Sequence, residues 1–425
     1  MTEFQNRIMR IERNTYLDRV IESRHNGMIK IIAGVRRSGK SYLLFNLFSD
    51  WLKNNGVSES HIIKIDLENR RNRTLRDPDN LLKYIDSKMQ DNVMYYILID
   101  EIQLVDEFED VLNSYLKIEN ADVFVTGSNA RFLSKDVITT FRGRGEEIKV
   151  YPLSFREYMS VSDKSTELAF EEYMTYGGLP QIVEYNSAER KMNYLKSLFA
   201  ETYLTDIKER YQVKNDEELE ILLDIISSSI GSLTNPSKLA NTFMSEKKVS
   251  LSDKTIKAYL DYICDSFLVE KSQRYDVKGK KYVNTPYKYY FVDLGLRNAR
   301  LNFRQLEKPH MMENVVYNEL RVRGFNVDVG IVPAIIRDAE GRQKRAIYEI
   351  DFVCNKGNQR YYIQSAYRLE SEEKIRQEEN SLRNVGDSFK KIIIVGSPTL
   401  VERDNTGITT ISIYDFLLNP HSLEL

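Results

Sequence analysis

The chain has 425 residues, 42% of them hydrophobic and 29% charged, with a formal net charge of −2 and two cysteines. That balance describes a soluble globular protein of several domains and excludes a disulfide-stapled secreted fold, a disordered chain and a uniformly basic nucleic-acid coat. No uninterrupted apolar run reaches membrane-spanning length, and the leading MTEFQNRIMRIERN carries no signal-peptide core, so the expected compartment is the cytoplasm, with no membrane partner. Cys264 and Cys354 sit in apolar segments far apart and are expected as buried free thiols, and the four histidines show no zinc-ligand spacing.

A first helix is expected over 15–23. Apolar strands then follow at 28–33, 61–66, 95–100, 122–126 and 148–151, separated by helical stretches at 41–54, 78–89 and 106–117. Strands alternating with helical crossovers predict an α/β fold with a parallel sheet covered on both faces.

Between the first strand and its helix lies Gly34-Val35-Arg36-Arg37-Ser38-Gly39-Lys40-Ser41, which satisfies G-x-x-x-x-G-K-[ST] at every fixed position. Glycines let the backbone wrap a phosphate, and loop amides with the helix N-terminus face its negative charge. Lys40 would reach the β- and γ-phosphates and Ser41 would ligate Mg²⁺. The third strand ends Ile97-Leu98-Ile99-Asp100-Glu101. An acid at the carboxyl edge of a parallel sheet can hold the magnesium, and Glu101 would orient or deprotonate the attacking water.

The fourth strand runs into Thr126-Gly127-Ser128-Asn129, where Ser128 or Asn129 would meet the γ-phosphate or the lytic water; both stay open, beside the reading of a plain turn. In Phe141-Arg142-Gly143-Arg144-Gly145, either Arg142 or Arg144 could set a guanidinium on a phosphate, in its own chain or a neighbour's; a basic surface turn fits equally.

From 156 to 300 the strand pattern gives way to amphipathic helices at 166–176 and 188–212, a break at Gly177-Gly178-Leu179-Pro180, and then helix, helix, helix and hairpin over 217–292. That order is a helical lid followed by a winged helix-turn-helix. Lys254 and Lys257 would lie on its third helix and Lys278, Lys280 and Lys281 on its wing, while Asp253, Asp261 and Asp265 oppose phosphate; a rigid connector is the other reading. From 301 to 425 the order is helix 309–323, strands near 325–330, 346–354 and 360–366, helix 370–384 and strand 390–396.

The motifs GVRRSGKS, LIDEIQ, TGSN, FRGRG, YPLSFREY, YGGLP and KYYFVDLGL resemble a bacterial and archaeal family of AAA+-type P-loop ATPases with a C-terminal winged-helix and nuclease-like part. The resemblance spans most of the chain. It implies a P-loop ATPase domain over 1–155 with an additional strand and a catalytic glutamate, and ATP and Mg²⁺ as cofactors at Lys40, Ser41, Asp100 and Glu101. It names no substrate.

The last 125 or so residues resemble the PD-(D/E)xK restriction-endonuclease fold. The resemblance implies Glu319, or Glu313, as the helix acid and Asp351 as the strand acid. The third element reads Gln364-Ser365-Ala366, neutral where an anion is expected and without its lysine. Fewer charged oxygens weaken a hard-cation site, so cleavage is expected to be lost or much reduced, with Lys374 the one candidate for a migrated lysine.

The function expected from the whole is an Mg-dependent ATP hydrolase that couples nucleotide state to its C-terminal half, with DNA or a protein client as partner. An ATP-gated endonuclease and an ATP-binding scaffold with negligible turnover are the alternatives. No Asn-Lys-x-Asp guanine clamp follows a sheet strand, which disfavours a GTPase.

Overall fold

Strand β1 (Ile29–Ala33) is buried at all five positions, as a continuous apolar run must be when helices cover both faces of its sheet. Around it, β2 (Ile62–Asp66), β3 (Tyr95–Asp100), β4 (Ala121–Gly127) and β5 (Gly145–Lys149) form an all-parallel sheet in the order β2-β3-β4-β1-β5. β4 therefore stands between the strand that enters the glycine loop and the strand that ends in Asp100. The computed structural model describes residues 10–127, 143–213, 215–247, 251–337, 342–369 and 371–425.

The one charged residue inside β1 is Lys30, fully buried. It ion-pairs with Asp122 of β4, donates to the Met28 carbonyl at 3.0 Å, and lies 4.9 Å from the centre of the Phe124 ring. Helix α1 (Asn14–Glu22) buries Tyr16 and Val20. α2 is the helical run 40–54, whose middle, Leu43–Phe48, opens into wider π-type turns and buries Leu43, Leu44, Leu47 and Phe48. α3 (Pro78–Lys88) starts where Asp77 accepts from the Asn80 amide with proline at the first helical position.

Contacts divide the chain into two units: residues up to Leu153 with 179–184 and 265–267, and residues 154–178 with 185–264 and 268–425. The second unit opens on a helix capped by Ser154 and Glu157 in reciprocal hydrogen bonds, and continues through helical runs 166–176 and 188–211. Helices Asp216–Ser228, Pro236–Thr242 and Asp253–Asp265 come next, with Thr234 bridging to Tyr287.

A second sheet of eight strands then builds the rest of the unit. The hairpin β6 (Val269–Asp276) and β7 (Lys281–Phe291) joins it, because β6 pairs in parallel with β8 (Asn326–Arg337). Residues read from sequence as a wing thus share a sheet with those read as the nuclease-like part. β8 pairs antiparallel with β9 (Gln343–Lys356), β9 with β10 (Gln359–Ala366), and β10 in parallel with β11 (Lys390–Val395). β13 (Ile408–Ser412) pairs in parallel with β11, and the edge strand β12 (Glu402–Arg403) pairs antiparallel with β13 to complete it. No helix among the described residues is long and apolar enough to cross a membrane.

Candidate functional site

The turn after β1 is possible only with glycine. At Gly34 the backbone takes φ +148°, and a Cβ would overlap the carbonyl oxygen of Val150 just past β5. Gly39 closes the turn at φ +93°, and α2 begins on the next residue, so its first amides face the loop. Lys40 is buried. Its ammonium donates to the Gly34 and Val35 carbonyls at 3.0 and 3.1 Å, making hydrogen bonds to its own loop. Burial lowers its pKa, and the nearby Glu101 and Asp100 carboxylates oppose that shift. Val35 and Ser38 are buried too, and Ser38 Oγ has no hydrogen-bond partner among the described residues. Arg36 is half-buried and Arg37, at φ +64°, is exposed.

Ser41 Oγ donates to Asp100 Oδ1 at 2.9 Å, joining motifs 59 residues apart. Thr126 at the tip of β4 donates to the same Oδ1 and accepts from the Glu101 amide at 3.0 Å. The Asp100 carboxyl is pushed up to about 6, chiefly by burial, against the hydrogen bonds from Thr126 and Ser41. Glu101 is buried and held in the left-handed region at φ +54°, where its carboxylate accepts from Gln103. A non-glycine residue at positive φ is strained, and such strain collects where a side chain must be aimed.

Two features escape the sequence motifs. Arg13, buried just before α1, donates to the Ser38 carbonyl at 2.8 Å and to the Tyr151 carbonyl at 2.7 Å. It fastens the glycine loop to the chain beyond β5, and the only sequence signal is a basic residue ahead of a helix. Beside Gly39, Ile11, Tyr42, Leu153, Pro180 and Val183 line a mostly apolar cavity of about 150 Å³, with Arg13 and Glu184 at its polar margin.

The remaining expected residues fare differently. Ser128, Asn129 and Arg142 lie outside the described residues. Arg144 is described, and it does not reach its own chain's glycine loop. Its carbonyl accepts from the Ile29 amide at 2.9 Å, at the amino edge of the sheet. The loop leaves the carboxyl edge, six residues further along, or roughly 20 Å at about 3.3 Å per residue.

In the second unit the structure brings Asp351 and Gln364 together and leaves Glu319 out. Gln364 Oε1 accepts from the Asp351 amide at 2.7 Å, whereas Glu319 pairs with Arg323 at 2.7 Å. The acid that joins Asp351 is Glu313, through Lys288 of β7. The Lys288 ammonium lies 2.8 Å from Glu313, 2.9 Å from Glu349 and 3.4 Å from Asp351, and Tyr290 also donates to Glu313. Lys374 pairs instead with Glu378 at 2.6 Å, and Glu378 accepts from Gln364. Among the described residues, no group of acids, histidines and cysteines is arranged to hold a metal ion.

Residues 26–159 match the family model of the AAA domain, and residues 167–307 match a domain of unknown function. An uncharacterized protein of Haemophilus influenzae is 34% identical over 414 residues, covering 96% of this chain and 98% of that one. An uncharacterized protein of Methanocaldococcus jannaschii is 29% identical over 363 residues, covering 82% and 77%. Among solved structures, a Walker-type ATPase of Pyrococcus abyssi superposes with a TM-score of 0.50 at 15% identity, over 69% of this chain and 96% of that one, a likeness of fold.

Proposed function

Because the chain belongs to the family of the Haemophilus influenzae protein and its N-terminal unit is an AAA-type P-loop ATPase domain, we propose that it binds ATP with Mg²⁺ and hydrolyses it. The observation that carries the reading is the Ser41–Asp100 hydrogen bond of 2.9 Å, which brings the two motifs to one point beneath the glycine loop. The residues fit a triphosphate. Among the described residues the buried Ser38 hydroxyl has no partner and the Lys40 ammonium donates to two loop carbonyls that it could leave, and α2 starts at the loop.

Lys40 and the loop amides would hold the phosphates, and Ser41 and Asp100 the magnesium. When bound, the ion would supply charge neutralisation for the phosphates. Glu101 accepts a proton from the attacking water, and Thr126 fixes the backbone from which Glu101 projects. The apolar cavity beside Gly39 and Tyr42 receives the base. Lys40→Ala is expected to abolish ATP binding in calorimetry. Glu101→Gln should keep ATP bound while phosphate release falls by about 10²–10⁴. Full hydrolysis by Lys40→Ala would sink this mechanism, and ATP bound without turnover by the parent protein would favour the scaffold reading.

The helix order 216–265, the Thr234–Tyr287 bridge and the following hairpin support a winged-helix reading of the middle of the chain. The sheet and its acids support a nuclease-derived scaffold without cleavage, since Lys288 already neutralises the acids that would otherwise take a cation. Supercoiled plasmid incubated with the protein and Mg²⁺ or Mn²⁺ should stay intact. Nicking that disappears in Asp351→Ala would make the site an active nuclease.

A further inference from the structure

We propose that Gln103 is a further catalytic residue of ATP hydrolysis. Its side-chain amide steadies the Glu101 carboxylate through Nε2 and takes a hydrogen bond from the attacking water through Oε1. The assignment rests on the ATPase reading above and adds to it the group that fixes the orientation of the water.

Residues two apart on a regular helix do not face each other. Gln103 reaches Glu101 because the chain bends at Glu101 itself. There the backbone enters the left-handed region, and one tight 3₁₀ turn, Ile102–Leu104, follows at once. The turn closes with the Leu104 amide on the Glu101 carbonyl at 3.0 Å and the Val105 amide on the Ile102 carbonyl at 2.9 Å. Ile102 and Val105 are buried and anchor it, while Gln103 is half-buried. Gln103 Nε2 donates to Glu101 Oε2, and the Glu101 amide donates to Thr126 at 3.0 Å, so side chain and backbone of Glu101 are each held.

The amide of Gln103 has one favourable orientation. An oxygen set against the carboxylate would be repelled, so the nitrogen faces Glu101. The oxygen at its other end, Oε1, is shielded from solvent and has no hydrogen-bond partner among the described residues. Buried acceptors are nearly always paired, and an exception calls for a donor that arrives with the reaction.

Position agrees with this role. Of the charges acting on the Lys40 ammonium, the Glu101 carboxylate is the strongest, ahead of Asp100. Glu101 therefore stands close to the group assigned above to the phosphates, and Oε1 lies one amide's width beyond the Glu101 contact. A single water spans acceptors up to about 6 Å apart with hydrogen bonds of about 2.6–3.2 Å. Both of its protons are then directed. One passes to Glu101 as the water oxygen bonds to the γ-phosphorus and the bond to the bridging oxygen breaks, its electron pair leaving with ADP. The other, held by Oε1, stays on the transferred oxygen in the new phosphate. With both protons anchored, a lone pair points at phosphorus and the nucleophile no longer tumbles.

Single-turnover hydrolysis and calorimetric ATP binding by the full chain with Mg²⁺ test this. Gln103→Leu removes both capacities and should slow hydrolysis about 10- to 100-fold at saturating ATP, while affinity stays within about twofold. Gln103→Lys can donate to Glu101 but accept nothing, and should be no faster than Gln103→Leu. Gln103→His, whose neutral ring keeps one donor and one acceptor, should be faster than either. The proposal is overturned if Gln103→Leu hydrolyses ATP like the parent, or if its loss lies in affinity and not in rate. It is equally overturned if Gln103→Lys restores the rate, which would reduce Gln103 to a pin for Glu101, or if Gln103→His is as slow as Gln103→Leu. A parent that hydrolyses no ATP overturns the ATPase reading and this inference together. A slow Glu101→Gln beside a fully active Gln103→Leu overturns this inference alone.

Discussion

Thr126 serves two neighbours through one oxygen: its hydroxyl donates to Asp100 and accepts from the amide of Glu101. Valine has the same shape and neither capacity. Thr126→Val would leave a buried amide and a buried carboxylate each short of a bond, at a cost of about 1–3 kcal/mol. It should lower both the melting temperature and kcat, while Thr126→Ser restores most of each; an unchanged kcat in Thr126→Val would remove Thr126 from the site's machinery. The meeting of the glycine loop with Asp100 was legible because both follow strands of one parallel sheet and leave its carboxyl edge. Thr126 was half-legible: the tip of β4 drew attention, but to the two residues beyond it. Arg144 could have been placed by topology alone, since a residue preceding a parallel strand stands at the edge opposite a loop that follows one. Lys288 was not legible, because it reaches Glu313 and Asp351 only when the β6–β7 hairpin joins a sheet whose remaining strands come later in the chain.

At the scale of elements, β1 shows how a charged residue survives in a strand buried on both faces. Lys30 and Asp122 neutralise each other across β1 and β4. Removing one partner of such a pair strands the other, which typically costs about 3–5 kcal/mol, whereas replacing both with apolar residues costs much less. Lys30→Met should therefore destabilise the N-terminal unit strongly in chemical denaturation. Lys30→Met with Asp122→Leu should recover most of the loss, short of the 3.1 Å bond that Asp122 accepts from the His25 amide. A loss in the double variant equal to the sum of the Lys30→Met and Asp122→Leu losses would show that the pair carries no coupling. The five parallel strands were legible from their apolar runs, to within a few residues at each end. The π-type turns inside α2 and over Phe199–Leu204 were not, since helical periodicity does not register one widened turn. Nor was the short strand β13, which carries only five residues.

For the molecule as a whole, a buried acid in each unit, Asp100 in the first and Glu313 in the second, ties stability to pH in the same direction. Burial, with Asp351 nearby, raises the Glu313 carboxyl to about 7 against the pull of Lys288. The folded state then holds this proton more tightly than the unfolded chain does. The stability it contributes is complete below about pH 4 and is lost as pH rises through about 7. The C-terminal unit is thus expected to melt at a higher temperature near pH 5.5 than near pH 8, and Glu313→Gln should flatten that slope. A slope unchanged by the substitution would assign the pH dependence to other groups.

Arg13 has a consequence for the chain at large. Its guanidinium holds carbonyls 25 and 138 residues away, so the glycine loop is braced by three distant stretches of polypeptide. Replacing Arg13 would slacken the loop without touching one residue of its motif. Affinity for ATP and resistance to heat should then decline together, as two readings of a single latch.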